Sequence, residues 1–201
     1  MTLALVALDA AAATELRGLG VQDSKRFGTG PKAQELRASL AVEIRRLARV
    51  CVCVEIHVDV IDEHTYRGQL NVLEQNTALR LLADAGAPAD AHIIADGCRI
   101  FTPLQRSYPR LCAVDKGESA HVAVAAASIV AKHARDEAFS AIAARYAADF
   151  GPIAGGGYLN KATRRFLDAY NKVHARLPPE ARKSWGAEKV DAGDQLSLMA
   201  D

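Results

Sequence analysis

The order of apolar and polar positions divides the chain into strands and helices. Thr2 to Leu8 is a short apolar run that reads as a strand, followed by an alanine-rich connection and Gly18-Leu19-Gly20. From Pro31, residues Ala33, Leu36, Leu40, Ile44 and Leu47 recur at helical spacing, with Arg37, Arg45, Arg46 and Arg49 on other faces. A proline suits the first turn, where its missing N–H has no intrahelical partner to lose. Val50, Val52, Val54, Ile56, Val58 and Val60 then alternate with Cys51, Cys53, Glu55, His57 and Asp59, and a period of two predicts a strand through that whole stretch. A helix from Asn71 to Ala85 buries Leu73, Leu81 and Leu82 and closes at Gly86 before Pro88. Short strands at His92 to Asp96 and Leu111 to Val114 precede a long alanine-rich helix from Ser119 to about Ala148. Gly155-Gly156-Gly157 turns into a last helix from Lys161 to about Asn171, and Pro178-Pro179 marks a boundary before the tail. The class is α/β, with helices covering a sheet.

Half of the 201 residues are apolar, which is enough for one compact domain with a full core. Aromatic residues are only 5%, so that core has to be built from aliphatic and small side chains. The expected division is a domain over 1–177 and a basic-aromatic closing segment with an acidic tail over 178–201. A net charge of +1 conceals an asymmetry: Lys161 to Lys189 holds eight basic residues against three acidic, whereas Val190 to Asp201 holds three acidic and none basic. The first of these stretches can meet phosphate or be a solvated helix face. Cys51, Cys53, Cys98 and Cys112 have neither zinc-ribbon nor thioredoxin spacing and read as semi-buried thiols. With no apolar run long enough for a bilayer, the expectation is a cytoplasmic protein without a membrane partner.

Two groups of residues could carry chemistry. Asp96-Gly97 ends a strand where open α/β sheets place working groups, although an Asp-Gly pair is by itself more often a turn. Asp115-Lys116-Gly117-Glu118-Ser119 lies between a strand and the long helix. Its acids and serine can serve a helix N-terminus, or Glu118 can join Asp96 as a second hard oxygen ligand for a divalent cation. Spacing does not decide between these. Lys132 and Asp136 read as a surface ion pair, and His121 and His133 as structural or solvated.

Taken in order, these segments resemble the type 2 ribonuclease H family, the HII and HIII group, from about Val6 to Trp185. Asp23-Ser24-Lys25, Asn76-Thr77, Ile94-Ala95-Asp96-Gly97 and Gly156-Gly157-Tyr158-Leu159-Asn160 with Thr163 each resemble a family feature. The most specific likeness is Lys116-Gly117-Glu118-Ser119 with Ala126-Ala127-Ser128-Ile129-Val130-Ala131-Lys132 and Arg135-Asp136. Glu118 leans toward HIII and Arg135-Asp136 toward HII, which leaves the subgroup open. Arg182-Lys183-Ser184-Trp185 resembles the closing basic-aromatic motif.

The resemblance implies a ribonuclease H-like mixed sheet of five strands flanked by helices, and an endonuclease that cuts the RNA strand of RNA–DNA hybrids or of duplex DNA with embedded ribonucleotides. It implies two-metal hydrolysis with Mg2+ or Mn2+, leaving a 5′-phosphate and a 3′-hydroxyl. Asp96 and Glu118 are the implied metal ligands, and Ser24, Lys25, Asn76 and Tyr158 the implied substrate contacts. A monomer is expected, and a sliding-clamp contact through the tail is left open. The family's first strand, carrying an Asp-Glu pair and a glycine-rich basic loop, should precede Val6 by more than the five residues that do. The expectation is therefore a chain truncated at its N-terminus, without the central strand and the first two carboxylates. The alternative to a nuclease is a catalytically incomplete remnant that binds hybrid without cutting. A phosphorylated-metabolite domain lacks a supporting phosphate loop.

Overall fold

The computed structural model describes residues 1–22, 24–28 and 30–185, with the side chains of Ser24 and Lys25 outside the description. Asp23 and the acidic tail from Val190 also lie outside the described residues. The chain divides into two compact units: Met1–Glu55 with Asn71–Asp136, and Ile56–Leu70 with Glu137–Asp201.

In the first unit, β1 (Thr2–Ala7) pairs antiparallel with β2 (Val50–Glu55), placing Thr2 opposite Glu55. Strand β3 (Ile93–Asp96) pairs in parallel with β4 (Leu111–Val114), placing Asp96 opposite Val114. Among the described residues the strands therefore form two pairs, in place of the five-stranded sheet that the resemblance implies. The period of two in β1 decides the layering. Ala4 and Val6 pack into a cluster with Leu16 of α1 (Ala10–Gly18), Leu40 and Ile44 of α2 (Pro31–Leu47), and Ile129 and Val130 of α6 (Val122–Phe150). Leu3 and Leu5 face a second cluster built on Leu82, Phe101, Leu104 and Leu111, which Ile93 and Ala95 of β3 also join. Helix α4 (Leu70–Asp84) and the short α5 (Cys98–Phe101) supply Leu82 and Phe101 to that side.

The alanine-rich connection after β1 is in fact α1. Its start is fixed by Asp9, whose carboxylate accepts the Ala12 N–H at 2.8 Å, and alanine is the strongest helix former. The Val50–Val60 alternation is a strand only as far as Glu55. His57 then caps α3 (Val58–Tyr66), whose ring Nδ1 accepts the Asp59 N–H, and Ile61 and Asp62 are the residues that α3 buries. The spacing of Val58, Ile61 and Asp62 was helical, and the run of alternate valines concealed it. Cys51 and Cys53 are half-buried as expected, whereas Cys98 and Cys112 are exposed.

Arg37 does not face water, and Asp136 does not form a surface pair. Both are buried, Arg37 Nε and Nη2 donate to Asp136 Oδ2 at 2.9 and 2.6 Å, and Arg135 Nη2 reaches Oδ1 at 3.2 Å. Helical spacing could not show this, because a buried ion pair occupies an apolar position with a polar residue.

The second unit contains α3, the end of α6 and α7 (Lys161–His174). Its packing is aromatic, with Tyr146 and Tyr170 edge to face at 5.5 Å and Phe150 and Phe166 at 5.6 Å. The Tyr146 hydroxyl donates to Glu180 Oε2 at 2.7 Å, and burial together with that bond pushes its pKa up to about 12. No helix among the described residues is long and apolar enough to cross a membrane.

Replacing Arg37 by alanine leaves Asp136 buried without its main partner, and unfolding in denaturant should show a loss of about 3–5 kcal/mol. A group whose pKa is raised on folding stabilises fully below its unfolded value and loses that contribution as pH rises. Stability attributable to Tyr146 should therefore decline between pH 10 and about 12. Comparing chemical unfolding of the wild type with Tyr146→Phe across that range tests this, since the variant should lack that alkaline loss.

Candidate active site

The ends of β3 and β4 are tied together by three bonds. The Gly97 N–H donates to the Val114 carbonyl at 2.7 Å, the Cys98 N–H to Asp115 Oδ1 at 2.9 Å, and the Gly117 N–H to Asp96 Oδ1 at 3.0 Å. Gly97 takes φ +119°, a conformation that lets the chain turn from β3 straight into α5. Gly117 is required for a different reason: a Cβ there would lie 2.7 Å from Val114 Cγ2. The absence of a side chain lets its amide approach the Asp96 carboxylate, and the next residue is Glu118.

Asp96 is exposed, and Glu118 is only 5% exposed. Both line the same cavity of about 750 Å³ within the first unit. Asp96 and Glu118, the two carboxylates that the sequence singles out, thus line one space. Asp115 accepts the Cys98 N–H at the start of α5.

The cavity itself has a particular form. Every residue from Thr2 to Leu8 and from Ala91 to Asp96 lines it. One face of a strand presents alternate residues, so an unbroken run means that β1 and β3 each turn a backbone edge toward the space. No strand among the described residues pairs with those edges, because β1 is bonded only to β2 and β3 only to β4. The floor includes Val124, Ala127 and Ser128 of α6.

The other expected contacts are distributed. Asn76 is exposed on α4 in the first unit, beside Thr77, which is buried and bonds the Leu73 carbonyl. Tyr158 is 57% exposed in the second unit, in the glycine turn before α7. There Asn160 caps α7 by accepting the Ala162 and Thr163 N–H groups and donates to the Gly155 carbonyl. Ser24 and Lys25 fall in a single 3-10 turn, Ser24–Phe27. Their side chains lie outside the described residues.

The sequence model of the Ribonuclease HII family matches residues 1–187. The chain belongs to the ribonuclease HII family. Membership places it among the ribonuclease H enzymes. It is 36% identical to the ribonuclease HII of Halobacterium salinarum over 207 residues, covering 98% of this chain and 91% of that protein. It is 30% identical to the ribonuclease HII of Thermococcus sibiricus over 192 residues, covering 92% and 81%. Among solved structures it resembles the ribonuclease HII in the PCNA:RNase HII complex of Archaeoglobus fulgidus, with TM-score 0.73, 26% identity, and 92% and 86% of the two chains covered. Its fold also resembles the ribonuclease H2 of Pyrococcus horikoshii, with TM-score 0.69, 20% identity, and 92% and 94% covered.

Gly117→Ala should destabilise this HII chain by about 1–3 kcal/mol through overpacking against Val114. The penalty should shrink in a Val114→Ala background, which a double-mutant cycle of unfolding free energies measures.

Proposed function

We propose that the chain hydrolyses the RNA strand of RNA–DNA hybrids, or of duplex DNA with embedded ribonucleotides, with Asp96 and Glu118 as ligands for Mg2+ or Mn2+. The observation that carries this reading is that both carboxylates line one cavity, with the amide of Gly117 linking Asp96 to the residue beside Glu118. Two hard oxygen donors suit these cations, which take carboxylate and water and leave positions for substrate phosphate. When bound, such an ion supplies Lewis acidity toward water and toward the leaving 3′-oxygen. The chain's own part is to orient the ligands. Gly117 holds one Asp96 oxygen from the β4 side, and burial confines Glu118 to the wall below. Asn76, Tyr158, Ser24 and Lys25 are proposed as contacts that hold the hybrid.

Hydrolysis by two ions needs more carboxylates than these two. We propose that an extended strand bearing an acidic pair sits between β1 and β3 and supplies them. The unpaired edges on both sides of an apolar space support this, since a strand there could bond to each. The Archaeoglobus relative is described in a complex with PCNA. A sliding-clamp contact through the tail is proposed for this chain by analogy, and a monomer otherwise.

A second reading is that the chain binds hybrid without cutting. Among the described residues no group of three or more His, Cys, Asp or Glu side chains is placed to hold a metal ion. A cleavage assay on a ribonucleotide-containing duplex with Mg2+ or Mn2+ separates the two. Cleavage that falls by ~10²-fold or more in Asp96→Asn and in Glu118→Gln supports the nuclease, consistent with a loss of several kcal/mol of transition-state stabilisation. Retained hybrid binding with no cleavage, even after adding an extended Val/Ile-rich peptide ending in Asp-Glu, supports the binding remnant.

A further inference from the structure

Helix α3 carries three carboxylates, Asp59, Asp62 and Glu63, and the fold treats them differently. Asp59 and Glu63 are well exposed, whereas Asp62 is 4% exposed. A buried carboxylate is tolerated only when hydrogen bonds replace its water. Here the donors come from the closing segment, 121 residues along the chain. The Lys183 N–H donates to Oδ2 at 2.8 Å, and the Ser184 N–H and Oγ donate to Oδ1 at 3.2 and 2.7 Å. Ser184 is fully buried. Burial alone would raise the Asp62 pKa, but the bonds from Ser184 and Lys183 and the nearby Arg182 charge bring it below the ordinary carboxylate value.

What Asp62 holds is the backbone of Lys183 and Ser184, which lie between Arg182 and Trp185. Arg182 Nη2 donates to Thr65 Oγ1 at 3.2 Å, its Nε lies 3.3 Å from Ser184 Oγ, and its guanidinium carbon lies 6.0 Å from the Trp185 ring centre. Thr65 is fixed in turn by its bond to the Ile61 carbonyl at 2.7 Å. Arg182 is therefore oriented by partners on α3 and by its own segment. Lys183 is different: its ammonium lies 3.6 Å from Asp59, and both side chains are about two-thirds exposed. Such a surface pair contributes at most about 1 kcal/mol, so a phosphate can take the place of the carboxylate. Lys183 also lies within the basic stretch that runs from Lys161 to Lys189.

We infer that Asp62 is a positioning residue that fixes the Arg182–Trp185 segment as a contact for the phosphodiester backbone of a duplex. The contact is electrostatic and indifferent to sequence, and Asp62 acts on affinity through Lys183 rather than on the chemical step. This rests on the hybrid-binding reading above.

The test is hybrid binding by fluorescence anisotropy across a salt series, using the full chain. Asp62→Asn keeps the volume but removes the charge that Lys183 and Ser184 bond to. It should weaken binding by about tenfold and flatten the dependence of log Kd on log salt by about one unit. Lys183→Ala should do the same in the wild-type background and add nothing further in the Asp62→Asn background. A purely structural tie would leave the two substitutions independent. Unchanged affinity and salt slope in folded Asp62→Asn would overturn the inference, as would an equal effect of Lys183→Ala in both backgrounds. Ser184→Ala removes a single bond to Asp62 and carries the same readouts if Asp62→Asn does not fold. A wild-type chain that binds no hybrid would sink the hybrid reading itself, a result distinct from either of these.

Discussion

The approach of the Gly117 amide to the Asp96 carboxylate is the constraint on which the candidate site depends. It is made possible by a missing side chain, since Val114 occupies the place a Cβ would need. Through that bond the end of β3 and the turn leading to α6 become one piece, and Glu118 inherits its position from the same turn. The adjacent bonds from Gly97 and Cys98 brace the junction, with Asp96 at the end of β3 and Glu118 in the 3-10 turn Gly117–Ser119. Lys116 adopts the left-handed conformation at φ 59°, which is uncommon for a residue with a side chain and marks how sharply the chain turns there.

Around this junction the first unit is layered by the two faces of β1. Each face feeds a separate apolar cluster, and β3 shares only the second. The helix most deeply involved is α6, in which Ala125, Ala126, Ile129 and Val130 have no exposed surface. Small side chains allow that helix to lie close beneath the strands, which is why a chain with 5% aromatics can still build a dense core. The aromatic residues it does have are concentrated in the second unit, where Tyr146, Phe150, Phe166 and Tyr170 pack together.

Much of the fold was legible because the relevant signals are local. The span of α2 from Pro31 to Leu47 and of β4 from Leu111 to Val114, and the buried leucines of α4, follow from periodicity and from the residues that stop it. What was not legible depended on partners far along the chain. Arg37 appeared to face solvent because its counter-charge, Asp136, is 99 residues away. Asp62 gave no signal of its own because the residues that satisfy it follow Pro178-Pro179. The pairing of Asp96 with Glu118 was suggested by resemblance and by strand-end logic, whereas the role of Asp115 as a cap could be seen only once α5 had been placed.

Cys98 gives this geometry a practical consequence. Its thiol is exposed and stands two residues beyond Asp96, on the first turn of α5, with its sulfur 3.6 Å from the Thr102 hydroxyl. A maleimide or spin label attached there would sit two residues from Asp96 without replacing it. The chain therefore carries a built-in attachment point for a reporter beside the end of β3.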